Sequence, residues 1–465
     1  MNSKYASATI VAVRKEGFIM NFVLFLGILL ILGLASSRVM KVWKLPNVTG
    51  YLIVGLIAAV LCIVIDLVNK NSDLTTELNT LNSIISSIAL GFIALSIGEE
   101  FKLSKIKEYG KDIITITFFQ AFGAIILVDV VLTGLCLLLG LDVSIAICLG
   151  AIAAATAPAA TIMVINQYKA KGPLVDILLP VVAFDDAIGL VVFSISVAIA
   201  KVLVTGVAIN VVSIVVVPLI EIIGSLLLGA LLGVLMHFVI KFFKSRNNHA
   251  VTIIAFTLLG VGACEALNNI HINGEALEFS NLLCCMMIGA MYINIAKEEE
   301  KTIVYRDFDL IDHWTPFLFM LFFVLSGAHL ATSAKSILTT SDSAIIIPVL
   351  VIFLAYMIMR SLGKYLGSYI SCKMTHREKA ITNYLGITLL PQAGVAIGMA
   401  NQISGMSAFE QNNLGNIIVT VVLCATLVYE LIGPVLTKWS LMKTGEIPDE
   451  NGEYPYQKEE KSETK

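Results

Sequence analysis

The sequence predicts an all-α polytopic membrane protein of thirteen transmembrane helices, and three observations predict it. Apolar residues make up 57% of the 465 residues and charged residues only 14%, against about 25% charged in an average soluble protein. Mean hydropathy is +0.89. Apolar runs of about 20 residues, the length that crosses a bilayer, recur from end to end. This composition excludes a large soluble domain. The net charge of −3 carries little information about partners, because charge in such a chain follows topology.

The runs fall at 17–36, 48–68, 82–99, 112–139, 143–166, 174–200, 207–241, 250–267, 280–296, 315–333, 343–371, 380–403 and 412–437. The seventh is long enough for one tilted helix or two short ones, and the basic residues decide. Loops after odd-numbered runs carry Arg38, Lys41 and Lys44; Lys102, Lys105, Lys107 and Lys111; Lys169 and Lys171; Lys241, Lys244 and Arg246; Lys297, Lys301 and Arg306; and Lys373, Arg377 and Lys379. Loops after even-numbered runs carry only Lys70, Lys201 and Lys335. Basic loops stay in the cytoplasm. The seventh run is therefore one crossing, with the N-terminus outside and the C-terminus inside. Lys4, Arg14 and Lys15 oppose this mildly. Trp43, Trp314 and Trp439 fall at span ends, where amphipathic rings prefer to sit.

Residues 1–441 read as the membrane domain, and 442–465 as a polar, Glu/Lys-rich tail expected to be disordered. The segment before Phe18 has no cleavage-site pattern. The eight cysteines form no CxxC pair and read as small packing residues. The six histidines show no ligand spacing, although His237 and His329 fall in or near spans and could sense pH. No Walker-type phosphate loop is present, no cofactor is indicated, and an enzyme is not expected.

Two basic residues remain outside the loops. Arg360 and Lys364 lie inside the eleventh run, and Asp185 and Asp186 lie inside the sixth, "LLPVVAFDDAIGLVVF". At 1.5 Å per helical residue, Asp186 is about 18 Å deep and Arg360 about 16 Å. Intramembrane charges are costly, pair with one another and mark ion or proton pathways. A helix lock needs one acid and one base; a second, adjacent carboxylate adds only repulsion. Consecutive acids point about 100° apart on a helix, so one can be held by a cation while the other faces a water-filled cavity. Proton and alkali cation then compete for one site, the least that an exchanger requires. Asp176, near the cytoplasmic start of the sixth run, is placed to guide cations inward.

The fifth run carries Pro158 in "ATAPAAT" and the twelfth carries Pro391 in "LLPQAG". Proline breaks a helix, and broken helices at membrane depth line cavities. With the seventh run as connector, each proline lies in the fifth span of its half, the signature of an inverted-repeat transporter. Thr156 and Thr161 could add oxygen ligands.

At these residues the chain resembles the cation:proton antiporter superfamily, most of all its second, NapA-like, double-aspartate branch. "KLPNVTGYLIVGLI", "ALSIGEEFKLSKIKEYGK", "FDDAIG", "RSLGKYLG" and "LLPQAG" carry the resemblance. It implies the NhaA/NapA-like fold and elevator-type exchange. A core (82–200 and 315–437) would slide against a dimerisation scaffold (17–68 and 207–296). It implies Asp186 as the obligatory Na⁺ and proton ligand and Asp185 as the mark of electrogenic members. Thr156 and Ala157 join the ion site; Pro158, Pro391 and Gln392 mark the crossing-helix breaks. Lys364 is the favoured titratable partner of Asp185, and Arg360 the fixed cation. The expected function is Na⁺(Li⁺)/H⁺ antiport and pH homeostasis in a bacterial inner membrane, as a homodimer. The alternatives are K⁺/H⁺ antiport and, in a different class, Na⁺-coupled solute symport.

Overall fold

Ten helices among the described residues are long and apolar enough to cross a membrane. The structure is a computed structural model. It describes residues 24–43, 47–69, 74–101, 103–157, 161–162, 164–165, 168–205, 217–267, 271–272, 275–276, 279–297, 299–340, 345–410, 413–449 and 453–456. In chain order the helices are α1 (Leu24–Trp43), α2 (Asn47–Val68), α3 (Leu74–Glu100), α4 (Leu103–Leu139), α5 (Val143–Ala153), α6 (Pro173–Thr205), α7 (Val217–Ile240) and α8 (Arg246–Leu267). They continue as α9 (Asn281–Ile295), α10 (Lys301–Trp314), α11 (Pro316–Thr340), α12 (Ile346–Met374), α13 (Lys379–Thr388), α14 (Gly394–Ser404) and α15 (Leu414–Lys443). A two-residue hairpin pairs His271–Ile272 with Glu275–Ala276.

The ten-helix count falls three short of the thirteen expected, for a physical reason. The expected spans 143–166 and 380–403 are interrupted: α5 ends at Ala153, and α13 and α14 are parted by Leu389–Ala393. The third, α9, has 15 residues. Two boundaries also move, and one helix is added. Helix α3 starts eight residues before the expected 82, in the polar "LTTELNT". Helix α4 begins in the basic loop and is broken at Gly110, whose φ of 74° is left-handed. The loop after the ninth run contains α10, whose Val304, Phe308 and Ile311 are buried on one face.

Helix α10 is anchored by a polar cluster. Its Asp307 is fully buried and accepts from the Tyr292 hydroxyl at 2.7 Å, with His249 Nδ1 at 2.8 Å and Arg306 at 3.6 Å. The other nitrogen of His249 lies 3.0 Å from the Phe243 carbonyl.

Small residues set which helices touch. A Cβ on Gly55 of α2 would strike the Val324 carbonyl on α11, and one on Gly327 of α11 would strike Leu52 on α2. Gly98 of α3 and Gly289 of α9 close on each other's backbones in the same way. On the other side, Gly123 of α4 packs against Gly363 and Gly367 of α12. These approaches cross the division expected from sequence: α3 and α11, expected in the core, make their tightest contacts with α9 and α2 of the scaffold.

Part of the C-terminal segment expected to be disordered has defined contacts. The Tyr454 hydroxyl donates to the Lys169 carbonyl at 2.9 Å, and Glu446 is 1% exposed against the start of α6. The cause is apolar: Leu441 and Ile447 pack with Leu174 and Val175 in one cluster.

Candidate functional site

The site forms where the interrupted helices meet. Helix α5 ends at Ala153 and the chain runs on without helix through Ala155–Ala157. On the other side Leu389–Ala393 separates α13 from α14. The two breaks hold each other: the Ala157 amide donates to the Pro391 carbonyl at 2.9 Å, Gln392 Nε2 to the Ile152 carbonyl at 3.0 Å, and the Thr161 hydroxyl to the Thr388 carbonyl at 3.4 Å. The Tyr356 hydroxyl donates to Gln392 Oε1 at 3.2 Å. Backbone groups freed by a break in an apolar interior must find partners within the protein, and these contacts supply several of them.

Arg360 on α12 supplies three more. It is fully buried. Its Nε donates to the Ala153 carbonyl at 3.1 Å, Nη2 to Ala155 at 2.7 Å and Nη1 to Leu390 at 2.7 Å. Carbonyls at a helix C-terminus lack intrahelical donors and carry partial negative charge. One guanidinium thus neutralises the ends of α5 and α13 together. The Tyr429 ring, 4.6 Å from its Cζ, covers the cation, and the Tyr429 hydroxyl donates to the Met357 carbonyl at 2.8 Å.

One turn further along α12, Lys364 Nζ lies 2.6 Å from Asp185 Oδ2, with both side chains fully enclosed. The ammonium also faces Gln120 Oε1 and Thr156 Oγ1, each at 2.8 Å, and the Ala154 carbonyl. Asp185 accepts from the Gln120 amide and the Thr156 hydroxyl. A buried ion pair persists only where further hydrogen bonds satisfy its remaining lone pairs and protons. Gln120 and Thr156 do that here, each bridging acid and base.

A cleft of about 530 Å³ reaches this cluster. Thr156, Ala157 and Thr161 line it with Ser96, Leu179, Val182, Phe323 and Gly394, and Asp312 stands at the α10–α11 end. A second cleft of about 580 Å³ is lined by Asn79, Asn82, Ser86, Glu265, His329 and Asn401, with no residue of the ion pair. His329 Nδ1 lies 3.0 Å from Asn401 Oδ1, and Asn401 donates to the Ser326 hydroxyl at 3.1 Å.

Of the residues singled out from sequence, Asp185, Thr156 and Lys364 are in mutual contact, and Ala157, Pro391, Gln392 and Arg360 stand at the crossing. Asp176 is exposed in the first turn of α6, nine residues and so about 14 Å of helix from Asp185. Leu179 and Val182, at successive three-residue steps from Asp176, line the first cleft. The backbone of Asp186 belongs to α6; its side chain, and Pro158, lie outside the described residues. Sequence reasoning missed Gln120, Tyr356, Tyr429 and Asp312. Gln120 was findable as the lone amide in the apolar run 112–139, and Tyr356 as the hydroxyl one turn before Arg360.

Long apolar helices thus surround a buried carboxylate–ammonium pair, set at two interrupted helices and reached by a cleft. The chain belongs to the sodium/hydrogen exchanger family: the family model described as "Sodium/hydrogen exchanger, transmembrane" matches residues 24–439. Its fold is similar to that of the sodium proton antiporter MjNhaP1 from Methanocaldococcus jannaschii at pH 8. That match has a TM-score of 0.67 and 17% identity over 92% of this chain and 99% of the other. A second structure of MjNhaP1, from electron microscopy, gives a TM-score of 0.63 and 16% identity over 91% and 97% of the two chains. Comparison with curated proteins gives no match.

Proposed function

We propose that the chain is an electrogenic Na⁺(Li⁺)/H⁺ antiporter in which protons and the cation compete for Asp185 and Asp186. The observation that carries this reading is the Lys364–Asp185 pair, 2.6 Å apart, bonded to Thr156 at the inner end of the cleft. A hard cation entering past Thr156 and the Ala157 backbone finds oxygen ligands and two adjacent carboxylates. Its arrival takes the counter-charge of Lys364, and a buried lysine, unlike an arginine, can then release its proton. Arg360 stays charged and keeps the crossing closed. Asp186 is assigned the principal Na⁺ ligand from its place in the sequence.

The packing favours a division of labour that differs from the one expected from sequence. Helices α4–α6 and α12–α15 form the moving unit, and α1–α3 with α7–α11 form the fixed one, in an elevator-type cycle. The Gly55–Gly327 and Gly98–Gly289 approaches bind the second group, and the Gly123–Gly363 approach binds the first. The basic loops put the α10 end, and so the first cleft, on the cytoplasmic side of a bacterial inner membrane. The interrupted α5 and α13–α14 pair are read as equivalent parts of inverted repeats, and the assembly as a homodimer.

The test is exchange in proteoliposomes carrying a pH-sensitive dye. With an imposed proton gradient, Na⁺ or Li⁺ should dissipate it faster than K⁺ or Rb⁺, and a membrane potential should change the rate. Asp186→Asn should abolish the effect. Equal dissipation by that variant would refute the assignment, and a preference for K⁺ would replace the cation.

A further inference from the structure

We infer that Glu446 is a positioning residue that caps the ion-site helix α6 from the far end of the chain and makes the seating of that helix depend on cytoplasmic pH. The exchange reading above does not use this residue. After α15 the chain turns at Gly445, whose φ of +70° is left-handed, and brings Glu446 back against the start of α6. Glu446 Oε1 accepts from the Leu174 amide at 2.6 Å and Oε2 from the Val175 amide at 3.0 Å. Its carbonyl accepts from the Lys171 amide at 3.0 Å.

Helix α6 needs a cap from elsewhere. It opens with Pro173, which has no N–H, so Leu174 and Val175 carry its first free donors. The preceding residue is Gly172, with φ of +154°, and a Cβ there would lie 2.5 Å from Glu446 Cγ. The position that normally holds a capping side chain is thus empty, and Glu446 fills it from 272 residues away. The helix so capped carries Asp185 and Asp186 and lines the cleft at Leu179.

The surroundings make the cap responsive. Glu446 is 1% exposed. Charged groups on the elements packed around it are Asp176 on α6, Glu378 before α13, Lys169 and Lys171 before α6, and Lys438 and Lys443 on α15. Tyr168, Tyr454 and Tyr456 are the neutral titratable ones. Lys169, Lys171 and Lys443 are exposed, and Lys438 lies over the Tyr168 ring at 4.5 Å. Burial, against the two amide donors and with Asp176 and Glu378 adding to it, brings the Glu446 carboxyl up to about 7.

The sign follows from linkage. A free glutamate titrates near 4.3, so the docked segment holds its proton more tightly than the undocked one. Docking is therefore strongest in acid and weakens as pH rises through about 7. Between pH 6 and pH 8 the docking equilibrium falls about tenfold. An alkaline cytoplasm loosens the start of α6; an acidic one holds it.

The experiment measures hydrogen exchange of the peptide 168–178 in the full-length protein at pH 6 and pH 8, corrected for intrinsic rates. Protection should fall about tenfold in the wild type and not at all in Glu446→Gln, which cannot titrate. In proteoliposomes with equal pH on both sides, the wild-type rate should rise through about pH 7 as the start of α6 is released; Glu446→Gln should still exchange but lack that rise. The transport arm rests on the antiporter reading; the hydrogen-exchange arm does not, so the two can fail separately. Protection in the wild type that is equal at the two pH values overturns the inference, even if the variant fails to fold. An unchanged pH profile in an active Glu446→Gln protein overturns it as well.

Discussion

Arg360 and Lys364 stand one turn apart on α12 and hold different things: Arg360 binds backbone carbonyls from both interrupted helices, and Lys364 binds the Asp185 carboxylate. Two cations at nearly the same depth therefore answer to different physics. The first satisfies helix ends and the second balances a side chain that can change charge.

Arg360→Gln should be among the most destabilising single changes. Hydrogen bonds to charged groups contribute about 1.5–3 kcal/mol each, and three are lost. Arg360→Lys keeps the charge but not the fork geometry, so it should recover only part. Thermal unfolding in detergent should rank wild type above Arg360→Lys above Arg360→Gln. Equal midpoints for wild type and Arg360→Lys would show that charge alone suffices.

Removing one member of the Lys364–Asp185 pair should cost about 3–5 kcal/mol, because the other is left buried without its counter-charge. Lys364→Gln with Asp185→Asn replaces the pair by neutral groups of similar shape, and the double variant should regain most of the lost stability. A double-variant cycle of unfolding midpoints checks this; simple additivity of the two losses would contradict it.

The proposed division into units can be tested by locking. Thr332 on α11 donates to Asn79 on α3 at 2.9 Å, within the proposed fixed unit. His329 on α11 and Asn401 on α14, 3.0 Å apart, lie on opposite sides of the proposed boundary. In a cysteine-free background, cross-linking Cys at 332 and 79 should leave exchange intact, and cross-linking Cys at 329 and 401 should stop it reversibly. The division expected from sequence, with α3 and α11 in the core, gives free exchange in both.

Asp307→Ala should release α10. It removes a buried acceptor shared by His249 and Tyr292, at a cost of about 3–5 kcal/mol. Protease sensitivity between residues 297 and 315 should rise while the helices of the ion site stay protected. No change in cleavage there would mean that the apolar face of α10 holds it unaided.

The long spans were legible because twenty apolar residues have few other uses, and the crossing was legible from Pro391. The acid–base cluster was legible because charge in an apolar run stands out: Asp185, Arg360 and Lys364 needed no periodicity to be noticed. Gln120 escaped because an amide costs less to bury than a charge and hides among "TFFQAFG". Helix α10 escaped because its charged face dominates its composition and only the spacing of Val304, Phe308 and Ile311 marks it. The partners of α3 and α11 were not legible at all. They depend on close approach at Gly55, Gly98, Gly289 and Gly327, and a glycine in an apolar run does not say which helix it faces.

The central claim is that proton and cation exclude one another at a single site, and the pH dependence of the apparent KM for Na⁺ tests it most directly. Measured in proteoliposomes of the Glu446→Gln variant, which removes the second titrating group, with symmetrical pH, KM should rise on the acid side by about tenfold per pH unit for each competing proton, with the maximal rate unchanged. A KM that stays constant while the maximal rate falls would mean that the proton acts somewhere other than where the cation binds.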